Sequence, residues 1–113
     1  MQTVSPQKHD QAEIAAEFLS AMANPKRLLI LSSLVNEEMA VGALATKVGL
    51  SQSALSQHLS KLRAQNLVTT RRDAQTIYYS SSSEAVLKVL KTLKDIYGDE
   101  TVPTERLTQR RTA

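Results

Sequence analysis

Residues 41–62 read VGALATKVGLSQSALSQHLSKL, and this stretch decides the fold of the 113-residue chain. A helix-turn-helix needs a first helix with apolar residues at helical spacing, here Leu44 and Val48. Gly49 then stands where the tight turn requires a residue that tolerates a positive φ. The second helix must return apolar residues to the core at the same spacing, and it offers Leu55, Leu59 and Leu62. All of these requirements are met in register, so the stretch predicts a helix-turn-helix.

The opposite side of the second helix carries polar side chains, namely Gln52, Ser53, Ser56 and Gln57. Amide and hydroxyl groups donate and accept hydrogen bonds, which suits the edges of bases in a major groove. The N-terminal half of a recognition helix is also the part that docking brings to those edges. In isolation, such a face would be interpreted as an ordinary solvated helix surface. Inside a helix-turn-helix that a basic hairpin follows, it favours a DNA-reading face.

Helical and strand patterns on both sides of this motif predict the remaining elements. Asn24 and Pro25 form a stop-and-restart signal, because Asn is a good N-cap and Pro fits the first helical position. After residue 66 the chain becomes rich in Thr, Val, Ile and Tyr, which is typical of strands. We expect helices at 10–22, 25–35, 41–48 and 52–65, a hairpin of 67–72 with 76–80, and a helix at 83–97. This α-α-α-α-β-β-α order, mainly α with a small β-hairpin, predicts a winged helix-turn-helix.

Basic side chains follow the polar face in two groups. Lys61 and Arg63 lie in the last turn of the second helix, where they complement the helix dipole, contact phosphate, or do both. Arg71, Arg72 and Gln75 cluster at the tip of the hairpin. Such a tip is ordinarily a solvated edge that discourages aggregation. Beside a recognition helix it favours a wing that touches phosphate or enters a minor groove.

The first and last helices carry apolar stripes that a single small core could not fully cover. The stripes consist of Ile14 and Phe18 in the first helix and of Val86, Leu90, Leu93 and Tyr97 in the last. We expect these residues to form the interface of a homodimer. Such a dimer would place its two recognition helices about 34 Å apart, in successive major grooves of a pseudo-palindrome.

Composition narrows the class of protein further. The chain has no cysteine, which excludes disulfides and thiolate metal sites, and its net charge of +3 suits a polyanion such as double-stranded DNA.

No apolar run approaches the roughly 18 residues of a membrane span, and residues 1–8 lack the apolar core of a signal peptide. We therefore expect a cytoplasmic protein that is associated with the nucleoid when bound to DNA. One domain is expected over residues 10–98, between a flexible arm at 1–9 and a disordered tail at 99–113.

Three segments of the chain resemble the ArsR/SmtB family of bacterial winged-helix repressors. They read AMANPKRLLILSSL (21–34), LSQSALSQHLSKLRAQNLV (50–68) and TTRRDAQTIYYSSS (69–82), and the likeness extends over about residues 10–98. The resemblance implies a homodimer, built from the first and last helices, that binds imperfect palindromes near promoters. It also implies that His58 joins the recognition positions and that the wing runs from Arg71 to Thr76. The likeness is strongest to the rhizobial nodulation regulators of the family, which implies control of nodulation and other symbiosis genes.

The metal-sensing positions of that family do not match this chain. The family's thiolate sites need cysteines, and its other site needs histidine on the last helix, which has none. His9 and His58 are the only histidines, so we expect no metal and no other cofactor. Because so small a domain offers no evident surface for recruiting polymerase, we expect repression through occupancy of promoter DNA.

Two other classes of protein compete with this interpretation. An enzyme would need a catalytic cluster or a glycine-rich phosphate loop, and three glycines with two isolated histidines provide neither. A winged helix used only for protein contacts would need neither polar side chains on the outer helix face nor arginines on the hairpin. The residues therefore favour a DNA-binding regulator over both alternatives.

Overall fold

The computed structural model describes residues 6–98, with side chains from residue 10 onward. Five helices and three strands in this range confirm the predicted winged helix-turn-helix, which is mainly α with a small hairpin. No helix in the range has the length and apolar content to cross a bilayer. The helices are α1 Pro6–Met22, α2 Pro25–Leu34, α3 Val41–Val48, α4 Gln52–Ala64 and α5 Glu84–Tyr97, and the strands are β1 Met39–Ala40, β2 Thr69–Asp73 and β3 Thr76–Ser80.

Side-chain caps fix where α2 and α4 begin, at the positions that the sequence predicts. The side-chain oxygen of Asn24 accepts hydrogen bonds from the backbone N–H groups of Lys26 and Arg27, at 2.9 and 3.1 Å, at the start of α2. Ser51 caps α4 in the same way, because its hydroxyl oxygen accepts from the N–H of Ala54 at 3.1 Å. Each cap satisfies backbone donors that the first helical turn leaves unpaired.

Helix α1 begins at Pro6, earlier than the predicted start at Asp10. Proline suits the first helical position, because its missing N–H would be unpaired there in any case. Residues 6–9, which the sequence assigned to a flexible arm, are therefore helical. The rest of that arm, residues 1–5, and the predicted tail, residues 99–113, lie outside the described residues.

The turn of the helix-turn-helix has the geometry that its glycine predicts. Gly49 has a φ of 73° and a ψ of 43°, a left-handed conformation that costs other residues about 1–2 kcal/mol. The N–H of Leu50 donates to the carbonyl of Ala45 at 3.0 Å and closes the turn. Lys26 adds a contact that was not predicted, since its Nζ donates to the Val48 carbonyl at 2.7 Å. This ammonium group neutralises the partial negative charge where α3 ends.

The wing, defined here as the β2–β3 hairpin of residues 69–80, is an antiparallel ladder. Strand β3 matches the predicted run, whereas β2 begins later than the predicted residue 67 and extends to Asp73. Asp73 pairs with Thr76, so a two-residue turn of Ala74 and Gln75 joins the strands. Ala74 has a φ of 56°, as hairpin turns of this length require.

Strand β1 was not predicted from the sequence. It consists of Met39 and Ala40, which pair with Tyr79 and Tyr78 of β3 and make the sheet order β1-β3-β2. Two residues are too short a run to show the alternation that identifies a strand. This strand joins the wing to the segment that precedes α3, so the hairpin is attached to the helix-turn-helix by main-chain pairing.

One apolar core lies between the inner helices. Leu44 of α3 and Leu55 of α4 are fully enclosed, beside Ile30 of α2. Helix α5 contributes Val86 and Leu90, whose side chains are both 0% exposed. The prediction that these two residues form the dimer interface is therefore wrong, because they already fill the core of the single chain.

The apolar residues of α1 and α5 that lie beyond this core remain exposed to solvent. Phe18 and Leu93, both predicted at the interface, are partly buried and pack against the edge of the core. The exposed residues and their exposed fractions are Ile14 at 64%, Leu19 at 53%, Ile96 at 62% and Tyr97 at 65%.

Candidate nucleic-acid interface

Helix α4 separates its apolar and polar residues onto opposite sides. Its leucines at 55, 59 and 62 are at most 1% exposed and anchor the helix in the core. In the first two turns, the side chains that face solvent are those predicted to read bases, namely Gln52, Ser53, Ser56 and Gln57. The helix presents an uncovered row of amides and hydroxyls in its first two turns, where a major groove would meet them.

Gln52 lies at the first position of α4, close to the start of α3. A Cβ atom on Gly42 would be 3.6 Å from the Nε2 atom of Gln52, so the glutamine side chain lies over the first turn of the neighbouring helix. That support limits the positions available to the amide while its polar end stays exposed. A partly ordered side chain loses less conformational entropy when it binds a base.

Lys61 and Arg63 both point into solvent from the last turn of α4. Within the part of the chain that the structure describes, neither has an ion-pair partner. Both are therefore available to phosphate, and both also lie where a positive charge favours the C-terminal end of a helix. The two roles that the sequence left open, phosphate contact and stabilisation of the helix dipole, remain compatible.

Arg71 has a different environment from the one that the sequence predicts. Its Nε and Nη2 atoms donate to the two carboxylate oxygens of Glu38 at 3.0 and 2.7 Å, and its guanidinium lies 4.7 Å from the ring centre of Tyr78. The hydrogen bond from Arg71 holds the pKa of Glu38 below its ordinary value. The bidentate pair occupies one edge of the guanidinium, so Arg71 is not a free cation of the wing.

Arg72 is the available cation of the wing. It pairs in register with Ile77 of β3. Because it follows Arg71 on β2 and successive strand residues point to opposite sides, its side chain lies away from Glu38. Among the described residues it has no ion-pair partner. Gln75 and Thr76 are exposed beside it at the hairpin tip, as predicted.

His58 lies at the edge of the polar face and is partly buried. Its Nδ1 atom is 3.1 Å from the Nη1 atom of Arg27 on α2. A guanidinium can only donate, so Nδ1 accepts and the ring proton is assigned to Nε2. Burial is the largest cause that lowers the pKa of His58, followed by the positive charges of Arg27 and Lys61. These effects favour the neutral imidazole, whose Nδ1 atom faces the protein, whereas Ser56 and Gln57 beside it are exposed.

Three polar contacts around this surface escaped sequence reasoning. They join Lys26 to Val48, Arg27 to His58 and Glu38 to Arg71, which are 22, 31 and 33 positions apart in the chain, respectively. No local pattern connects such distant positions. Among the described residues, no group of three or more His, Cys, Asp or Glu side chains could hold a metal ion.

A polar helix face, anchored by leucines from behind and flanked by a basic hairpin, is suited to a DNA groove and its phosphates. The fold and this surface together define the class of winged helix-turn-helix DNA-binding proteins.

Comparison with known proteins agrees with this class. The family model described as "Bacterial regulatory protein, arsR family" matches residues 24–70. The nodulation protein NolR of Rhizobium meliloti is 83% identical over 101 residues, which are 89% of this chain and 83% of that protein. The crystal structure of NolR from Sinorhizobium fredii has a TM-score of 0.83 at 82% identity, covering 87% of this chain and 98% of that one. The solution structure of a homodimeric winged helix-turn-helix DNA-binding domain from Mycobacterium bovis has a TM-score of 0.72 at 30% identity, covering 100% and 99%.

The chain belongs to the arsR family of bacterial regulatory proteins. It is a transcriptional regulator, and the family resemblance that its three segments predict is confirmed. The family consists of regulatory proteins rather than enzymes. Nothing in the comparisons supports the alternative of a winged helix used only for protein contacts.

Proposed function

We propose that the protein is a homodimeric repressor that reads pseudo-palindromic promoter DNA through the polar face of α4. The observation that carries this proposal is the exposure of Gln52, Ser53, Ser56 and Gln57 on a helix whose leucines are enclosed in the core. The glutamine amides suit adenine, which offers one donor and one acceptor in the major groove, and the serines suit several bases. Half-sites that contain A·T pairs are therefore expected.

Exposed apolar surface supports the homodimer. Ile14 and Leu19 on α1, with Ile96 and Tyr97 on α5, are each more than half exposed in the single chain. Large exposed apolar patches mark interaction sites, because leaving them in water is unfavourable. The proposed interface therefore moves to these exposed apolar residues of the two helices, with Phe18 and Leu93 at its edge.

Phosphate contacts are assigned to cations that have no carboxylate partner. Arg72 on the wing and Lys61 and Arg63 at the end of α4 meet this condition, whereas Arg71 does not. Gln75 and Thr76 offer uncharged donors at the hairpin tip. His58 is assigned to the protein side of the interface, because its Nδ1 is bonded to Arg27.

The identity of 83% to NolR supports nodulation and symbiosis genes as the regulated set. Repression would follow from occupancy, since a dimer bound across a promoter excludes polymerase without any further surface. The protein would work in the cytoplasm, on the nucleoid, and without a metal or another cofactor. Treatment with a strong chelator should accordingly leave DNA affinity unchanged, and a loss restored by a divalent metal would contradict this part of the proposal.

Selection of duplexes from a random-sequence pool, followed by affinity measurements across salt concentrations, tests the proposal. We expect the protein to enrich a two-fold symmetric site and to lose affinity steeply as salt rises, because phosphate neutralisation releases counterions. The Arg72→Gln variant should bind all duplexes more weakly and lower the salt slope by about 1. Lys91→Gln, an equal loss of charge on the exposed side of α5, is the matched control. Failure to enrich any duplex would overturn the proposal and favour a protein-contact module.

A further inference from the structure

Arg27 joins three helices through one planar group. Its Nε donates to the Ala21 carbonyl at 2.6 Å, and its Nη2 donates to the Ser20 carbonyl at 3.4 Å, both in the last turn of α1. Its Nη1 lies 3.1 Å from the Nδ1 atom of His58, in the middle of α4. The side chain starts from the first turn of α2, so α1, α2 and α4 meet at this guanidinium.

We infer that Arg27 is a positioning residue, which sets the orientation of the recognition helix relative to α1 through its bond to His58. The inference rests on the proposed function, because it assigns to Arg27 a part in DNA reading without any contact to DNA. Helix α1 carries part of the proposed dimer surface, namely Ile14 and Leu19. A fixed angle between α1 and α4 therefore becomes a fixed relation between the two recognition helices of a dimer.

The contact requires a planar group with several donors on one side and an uncharged acceptor on the other. A guanidinium has several donors in one rigid plane, whereas the ammonium group of lysine is a single point that could not reach all three acceptors. The imidazole must be neutral, because a protonated Nδ1 cannot accept. Protonation would also place two positive groups 3.1 Å apart. The bond therefore exists only while His58 is uncharged.

The groups around His58 oppose its protonation. Arg27 faces it from α2, Lys61 lies on the same helix, and both charges lower its pKa together with burial. Helix α1 contributes the Ser20 and Ala21 carbonyls that hold Arg27, while its Glu17 lines a groove with Lys61. The pKa in the folded protein is lower than the ordinary value near 6.5. The contribution of this bond to stability is thus complete above about pH 6.5 and is lost as pH falls through the lowered pKa.

Three variants separate positioning from phosphate contact and from simple structural support. The probes are the duplex that the wild-type protein enriches from a random pool and a scrambled duplex of equal length. Arg27→Met should weaken binding to the enriched duplex about tenfold, the scale of one lost base contact, and leave the scrambled duplex and the salt slope unchanged. Arg27→Lys should not restore the loss. His58→Asn should retain wild-type discrimination at pH 8, because the asparagine oxygen replaces Nδ1 as an acceptor.

A pH series provides a test that does not depend on an Arg27 variant. Wild-type discrimination between the two duplexes should decline as pH falls through the lowered pKa of His58, below 6.5, whereas His58→Asn, which cannot titrate, should lack that decline. Parallel profiles for the two proteins would overturn the inference. Equal loss on both duplexes in Arg27→Met, with a smaller salt slope, would also overturn it, because that result identifies a phosphate contact.

A measurement without DNA completes the test. In Arg27→Met the pKa of His58, followed by nuclear magnetic resonance, should rise toward its ordinary value, because a nearby positive charge has been removed. An unchanged pKa would show that the contact is absent in solution. If the wild-type protein enriches no duplex, the proposed function fails and this inference falls with it. If it does and Arg27→Met discriminates equally well, the positioning role alone is wrong.

Discussion

Among single side chains, Gln52 is expected to have the clearest effect on which DNA sequence the protein prefers. It is exposed at the start of α4 and supported by the first turn of α3. If it makes two hydrogen bonds to one adenine, Gln52→Ala should cost about 1–3 kcal/mol in binding to the preferred site. The preferred base at that position should also change, because the alanine methyl group cannot form these bonds. Selection with the variant measures both effects.

An amide elsewhere on the surface serves as the control for this change. Gln11 is exposed on α1, so Gln11→Ala removes the same group without altering the polar face of α4. We expect its preferred duplex and affinity to equal those of the wild-type protein. An unchanged consensus for Gln52→Ala would show that Gln52 is not a reader of bases.

The turn glycine offers a test of stability at the same scale. Gly49 has a φ of 73°, and a Cβ at this position would lie 3.6 Å from the Nζ of Lys26, an ordinary contact. The cost of Gly49→Ala is therefore conformational, about 1–2 kcal/mol in the free energy of unfolding. Gly49→Asn should lose less, because asparagine tolerates the left-handed region. Urea unfolding measures the loss.

Gly42 provides the matched glycine for this comparison. It lies in the first turn of α3, and a Cβ there would lie 3.6 Å from Gln52, also an ordinary contact. Gly42→Ala should therefore raise the free energy of unfolding by about 0.4–1 kcal/mol, because it restricts the unfolded chain. Equal effects of the two alanine substitutions would contradict a role for the left-handed turn.

Residue-level prediction from sequence succeeded where the cause is local. The cap at Asn24, the start of α4 at Gln52 and the left-handed Gly49 follow from local residues, and the structure confirms them. Arg71 and Arg72 look equivalent in the sequence. Only the fold brings Glu38, 33 positions away, to the first of them. Sequence reasoning could therefore find the basic tip but could not tell which arginine is free.

At the scale of elements, the attachment of the wing depends on the ion pair between Glu38 and Arg71. Glu38 precedes β1 and holds Arg71 of β2, while β1 pairs with β3 between them. Glu38→Gln should release this cation at the edge of the DNA-facing surface. We expect tighter binding to any duplex at low salt and a salt slope that becomes steeper by about 1, as one more phosphate is neutralised. Affinity measured across salt concentrations gives both quantities.

A double variant shows whether the gain comes from Arg71. In Glu38→Gln combined with Arg71→Gln, the added affinity and the steeper slope should both disappear, because no cation is released. Persistence of the gain would indicate that Glu38 merely repels DNA as a nearby negative charge. It would then be wrong to treat the pair as a restraint on the wing.

The order of helices and strands was predictable because each has its own period of apolar residues. Which residues of an apolar face pack in the core was not predictable. Val86, Leu90 and Tyr97 lie on one stripe of α5, yet the first two are enclosed and the third is 65% exposed. The position along the helix decides this, since α5 packs on the core with its first half and extends past it with its second. Periodicity identifies the apolar side of a helix and carries no information about where the core ends.

At the scale of the whole molecule, the exposed apolar residues of α1 and α5 predict that stability depends on protein concentration. A dimer that folds and associates together should gain about 1.4 kcal/mol in apparent stability for each tenfold rise in concentration. The urea midpoint of the wild-type protein should rise accordingly. Sedimentation at micromolar concentration should give the mass of two chains.

Ile96→Lys should remove this dependence, because Ile96 is 62% exposed in the single chain and a buried ammonium in the interface would lack a partner. The added positive charge cannot weaken DNA binding by repelling phosphate. A loss of affinity for the symmetric duplex would therefore come from the loss of the second half-site. Ile96→Val, which keeps the apolar surface, should sediment and bind like the wild-type protein. A monomeric Ile96→Lys variant with full affinity for the symmetric site would mean that one chain is sufficient to read DNA, and that the exposed apolar residues of these helices serve another purpose.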